Sequence, residues 1–106
     1  MRIRVKDHVK FQADKMAKIA LATTARAQLD LYCVAPGQAQ TPHRHVDQDK
    51  IYYVLEGNGL FTVGAEEETH GTGTAVLAPA GVDHGVRNAS GERLWLLVFM
   101  APNPNA

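Results

Sequence analysis

Residues 36–59 read "PGQAQTPHRHVDQDKIYYVLEGNG". His43 and His45 stand two apart, and the apolar run "KIYYVL" follows them. In an extended chain, residues i and i+2 point to the same face, about 6.5–7 Å apart. Two imidazoles on one face can converge on one ion, with bonds of about 2.0–2.1 Å. The pair alone is equally a pair of surface histidines ahead of a strand. The stretch is bracketed by turn formers: Pro36-Gly37 before it and Glu56-Gly57-Asn58-Gly59 at its end. The second set is a hairpin signal, with Gly57 and Gly59 supplying positive φ.

On either side, short β-branched and aromatic runs alternate with Gly, Pro and Asn. "AQLDLYCV" stops at Pro36, "LFTV" at Gly64, "TAVLA" at Pro79 and "RLWLLVFM" before Pro102. These runs read as strands. "ADKMAKIALATTARAQLDL" has the alanines and lysines of a helix, but its apolar residues repeat poorly at a period of 3.6. It reads instead as two strands joined near Thr23-Thr24. Eight or nine evenly spaced strands predict an antiparallel sandwich or small barrel. The tail, residues 102–106, reads as a frayed or draped end, because Pro102 and Pro104 remove backbone donors.

His84 follows the turn "PAGVD" after the "TAVLA" strand, where Pro79 and Gly81 can turn it back into the barrel. A third imidazole from a separate strand could complete a three-nitrogen face. His8 lies in the charged N-terminal stretch and His70 in "EEETHGTG", which reads as a polar turn; both histidines read as solvated. Asp83 reads either as a support for a ligating histidine or as a solvated turn residue.

These offsets resemble the two motifs of a single-domain cupin. Gly37, His43, His45, position 50 and Gly57 follow the first motif over residues 37–57. Gly73, Pro79, Gly81, His84 and Asn88 follow the second over residues 73–88. The resemblance implies an all-β fold, a double-stranded β-helix or jelly-roll barrel of the RmlC-like kind, over residues 1–106 as one domain. It also implies a site of three histidines and one glutamate for a divalent transition metal.

Lys50 stands where the glutamate belongs. A protonated lysine has no lone pair to donate. Held about 5 Å from a dication at an effective dielectric near 20, it is repelled by roughly 6–7 kcal/mol. Three arrangements answer this. Lys50 turns away or sits neutral with a depressed pKa, leaving three histidine ligands. Alternatively, a bulge presents Asp49, Gln48 or Asp47 as the fourth ligand, with Asp49 preferred. In the third, no metal binds and Lys50 serves an anionic ligand. His43, His45 and His84 are common to the first two.

If position 50 faces inward, Tyr52 and Val54 follow by alternation. Phe61, Trp95, Leu97 and Phe99 are further candidates for the pocket walls. Such a pocket fits a small organic ligand. Two functions follow. One is an enzyme centred on Fe, Mn, Ni or Zn, with the dioxygenase, isomerase or decarboxylase chemistry that the resemblance implies. The other is a non-catalytic binding or sensor module, possible without metal. A homodimer is expected from the same resemblance.

Composition sets the limits. The chain has 106 residues, a one-domain length, with 11 basic and 11 acidic residues. That balance argues against nucleic acid or a membrane surface as partner. Cys33 is the single cysteine, which excludes an intramolecular disulfide and a Cys-based zinc site. It reads as a buried core residue. The start "MRIRVKDHVKF" lacks the apolar stretch of a signal peptide, and no apolar run approaches the roughly 20 residues of a membrane span. A cytoplasmic location is the expectation.

Overall fold

The computed structural model of the protein describes residues 1–104. Nine strands follow a single 3₁₀ turn at Val5–His8. They are β1 (Ala17–Thr23), β2 (Gln28–Val34), β3 (Ala39–His43), β4 (Asp49–Glu56), β5 (Asn58–Val63), β6 (Glu66–Gly71), β7 (Ala75–Ala78), β8 (His84–Arg87) and β9 (Leu94–Ala101). One sheet has the order β1-β2-β9-β4-β7 and the other β3-β8-β5-β6. Every pairing is antiparallel. The result is a jelly-roll sandwich, as expected.

Alternation decides what each strand buries. In β9, Leu94, Leu96, Val98 and Met100 point inward and are buried. In β4, Lys50, Tyr52 and Val54 do the same, while Asp49, Ile51 and Tyr53 face out. The inward residues join Tyr32, Val34, Phe61, Val86 and Ala78 in one core between the sheets. Burying one aliphatic side chain of this size contributes about 1.5–3 kcal/mol. A second, smaller core lies outside the five-stranded sheet. There Val5, Val9 and Phe11 of the N-terminal segment cover Leu31, Cys33 and Trp95. Cys33 is fully buried in it.

Several expectations are corrected. Glu56-Gly57-Asn58-Gly59 is no hairpin, because β4 and β5 belong to different sheets. Gly57 has φ +91° at the corner where the chain changes sheet, and a Cβ there would run into the Arg93 carbonyl oxygen. Gly59 has no positive φ; it leaves room for the Phe61 ring and Leu94. "EEETH" is an edge strand, β6, not a polar turn. It forms because β5 offers it a full ladder from Asn58–Gly71 to Val63–Glu66. Trp95, Leu97 and Phe99 point away from the interior, because β9 turns its even-numbered residues inward. At the C-terminus, Asn103 Nδ2 donates to Thr24 O at 2.6 Å and drapes the chain over the β1–β2 turn. Residues 105 and 106 of the expected tail lie outside the described residues. No helix among the described residues is long and apolar enough to cross a membrane.

Candidate metal centre

Two strands and one loop bring the histidines together. His43 ends β3 and pairs directly with His84, which begins β8. The β3–β8 register is interrupted between Gln40 and His43. Gly85 permits that interruption: a Cβ there would lie 2.7 Å from Gln40 O and 3.0 Å from the Pro42 backbone. The missing side chain lets β3 close on β8 and sets His43 beside His84.

His45 lies past the end of β3. Its carbonyl accepts from Gly81 N at 2.8 Å, which fastens it to the Pro79–Gly81 turn ahead of His84. Arg44 Nε donates to Asp83 Oδ1 at 2.8 Å across the same gap. Arg44 holds the Asp83 carboxyl below its ordinary pKa. The neighbours of the histidines therefore tie the two histidine-bearing segments together from outside.

The ring centroids lie 4.8 Å apart for His43–His45, 4.6 Å for His43–His84 and 5.7 Å for His45–His84. The three offered nitrogens lie within 4.8 Å of one another. His43 Nε2 and His45 Nε2 are 3.1 Å apart. Two nitrogens bound to one ion at about 2.1 Å are separated by about 3.0–3.4 Å at octahedral to tetrahedral angles.

The carbonyls set the tautomers. A carbonyl oxygen only accepts, so a ring nitrogen bonded to it carries the proton. His84 Nδ1 donates to Val82 O and His43 Nδ1 donates to Thr41 O, each at 3.1 Å. Both Nε2 atoms are therefore lone-pair nitrogens. His84 Nε2 is buried and has no hydrogen-bond partner. An unpartnered buried acceptor is costly. A cation among the three nitrogens would remove that cost, so the donor set fits a divalent metal.

Burial first, then the positive charges of Lys50, His43 and His45, push the His84 pKa down to about 4, against the Val82 hydrogen bond. His45 is shifted down for the same leading reason. Neutral imidazole, the ligating form, is thus the resting state at neutral pH.

Lys50 is only 2% exposed. Its Nζ donates to Tyr32 Oη at 3.4 Å and lies over the Tyr32 and Tyr52 rings at 5.7 and 5.5 Å. Burial lowers its pKa to about 8, Lys18 adds to the effect and Asp30 opposes it. Among the described residues no carboxylate forms an ion pair with it. Tyr52 Oη donates to Gln40 Oε1, and Gln40 Nε2 donates to Tyr32 Oη, both at 3.0 Å. Lys50 therefore ends a buried polar chain, the arrangement in which it turns toward the tyrosines with a lowered pKa.

No bulge falls between Asp49 and Val54. β4 runs in unbroken register from Asp49 to Val54 against β9. Asp49 points outward, and its Oδ1 accepts from Ala80 N at 3.0 Å. Its carboxylate thus supports the turn ahead of His84 and is not part of the histidine cluster. Gln48 Oε1 is the other buried side-chain atom without a partner among the described residues. Of the remaining candidates, Tyr52 and Phe61 sit in the core with rings 5.2 Å apart. Trp95 lies in the outer core and lines no part of the site. His8 is exposed, and His70 faces Glu68 at 3.6 Å.

A cleft of about 760 Å³ opens beside His43, lined by Lys15, Met16, Lys18, Gln40, Thr41 and Pro42 among others. Gln40, Lys18 and Tyr32 join the site without any local motif that marks them. In β2, Tyr32 and Val34 face the inner core while Cys33 faces the outer one, so the apolar run "LDLYCV" is buried on both sides and alternation alone does not mark Tyr32.

A family model described as the cupin domain matches residues 30–100. A crystal structure of a Thermus thermophilus protein is 46% identical, covers 98% of this chain and 100% of its own, and superposes with a TM-score of 0.95. An uncharacterised Streptomyces coelicolor protein is 35% identical over 68% of each chain. A Klebsiella pneumoniae protein with a double-stranded β-helix domain shares the fold at 19% identity, covering 99% of this chain and 92% of its own, with a TM-score of 0.91.

Proposed function

From a chain that belongs to the cupin family, we propose a protein that holds one divalent transition metal on His43, His45 and His84 and binds a small oxygenated organic molecule beside it. The observation that carries this reading is His84 Nε2, buried, without a partner, and fixed as a lone pair by the Val82 carbonyl. Iron, manganese, nickel and zinc all suit a set of imidazoles. Such an ion, when bound, supplies Lewis acidity and a place for a substrate oxygen.

The chain's own residues supply the rest. Val82 and Thr41 orient the two imidazoles by holding their Nδ1 protons. Tyr52, Phe61 and Val86 wall the interior and exclude water. Burial pushes the Tyr32 hydroxyl up to about 12 and Tyr52 higher still. Both therefore remain neutral donors. Lys50 holds a proton that it releases near pH 8. It is the chain's proton-transferring group within this interior, in place of the absent glutamate.

Lys50 also supports a second reading, a binding module without turnover. A cation at the position of a ligand weakens metal affinity and adds no acceptor for a substrate proton while it is charged. Metal content separates the readings first, and oxygen uptake with catechols and keto acids second. Bound metal with uptake or product formation supports the enzyme. A metal-free protein that is silent with all of them supports the binder.

A further inference from the structure

Lys50 raises a question of charge that the histidines do not answer. Lys50 is 2% exposed, and among the described residues its ammonium makes one hydrogen bond and has no carboxylate in ion-pair range. Buried charges in proteins are normally paired. The neutral tyrosine hydroxyls provide no counter-charge. Asp30 lies on the inward face of β2 with Tyr32, but its Oδ1 accepts from Gln28 Nε2 at 2.8 Å.

The surroundings add positive charge. Lys18 Nζ lies 5.5 Å from the Tyr32 ring centroid, and Lys50 Nζ lies 5.7 Å from it. Lys18 and Lys15 line the cleft with Gln40 and His43, and among the described residues no acidic side chain lines it. Gln40 leads inward from that cleft, because its amide donates to Tyr32 Oη, which in turn accepts from Lys50. A bound dication would increase the positive excess.

We propose that Lys50 and Lys18, grouped with Gln40 around Tyr32, form a receptor for the carboxylate of a small organic acid. The pocket then takes an organic anion in preference to a neutral sugar, alcohol or amide. This deepens the ligand-binding reading above and rests on it. A carboxylate from the ligand does what the replaced glutamate would do: it balances the charge of the site.

The test is calorimetric titration of zinc-loaded protein with malonate and with malonamide, its neutral counterpart. Zinc per chain is measured after each titration. Malonate is expected to bind wild type at least tenfold more tightly than malonamide does. Lys50→Gln is expected to reduce malonate affinity at least tenfold while retaining zinc, and Lys18→Gln, at an exposed position, about threefold. Equal malonate affinity in Lys50→Gln and wild type overturns the inference, and so does malonamide binding as tightly as malonate. If zinc stays bound in either case, the metal reading stands alone. If wild type retains no zinc, the metal reading fails, and the same titrations on metal-free protein decide the anion site. If Lys50→Gln does not fold, Lys18→Gln decides: unchanged malonate affinity overturns the proposal.

Discussion

His43 and His84 are direct cross-strand partners, with ring centroids 4.6 Å apart, although 41 positions separate them in the sequence. The pairing is possible because Gly85 has no side chain where β3 presses on β8. Gly85→Ala is expected to force Gln40 and Pro42 away, at a cost of about 2–4 kcal/mol in stability. Metal affinity should fall with it, because His43 is displaced. Urea unfolding and metal-binding titration of the same variant check both effects.

The low pKa of His84 has a sign that can be tested. The folded state holds the imidazole neutral down to about pH 4, whereas in the unfolded chain it protonates near 6.5. The unfolded state therefore binds more protons between these values, and stability falls as pH falls through that window. Metal-free protein should show this slope in chemical denaturation from about pH 6.5 to 4. His84→Ala should flatten it.

Lys50 acts in a higher window. Its folded pKa of about 8 lies below the ordinary 10.5. Charged Lys50 is thus a burden at pH 7 that lifts as pH rises from about 8 to 10.5, and stability should climb across that range. The shift corresponds to roughly 3 kcal/mol. Lys50→Met should recover much of it at pH 7, measured by urea unfolding. Lys50→Glu should tighten metal binding at least tenfold, measured by competition with a chelator.

Arg44 and Asp83 face solvent, so their ion pair adds little to stability. Their effect should appear in the metal site. Arg44→Gln and Asp83→Asn are expected to leave thermal unfolding almost unchanged and to weaken metal affinity severalfold. A zinc titration with a chromophoric competitor reads that difference.

Much of this molecule is legible in its sequence. Period-2 alternation in "KIYYVL" and the offsets from Gly37 to Asn88 give the sheets and bring in His43, His45 and His84. Other features escape for physical reasons. Glu56-Gly57-Asn58-Gly59 carries hairpin chemistry, but positive φ serves a sheet-to-sheet corner equally well. "EEETH" is polar because it is an exposed edge, and polarity alone resembles a turn. Trp95 and Phe99 are as apolar as their neighbours in β9, so only the strand's facing separates wall from exterior. Asp49 offers a ligating oxygen by type, but its place on the outward phase of β4 commits it to Ala80. Gln40 stands in "AQTP", where nothing in the local pattern marks a buried amide joining two tyrosines.

Metal stoichiometry decides whether His43, His45 and His84 hold an ion. Wild type and His84→Ala are each loaded with zinc, dialysed to equilibrium and measured for zinc per chain. Close to one ion per chain for wild type and almost none for His84→Ala is the predicted result. Equal zinc in the two proteins, or none in wild type, would contradict it.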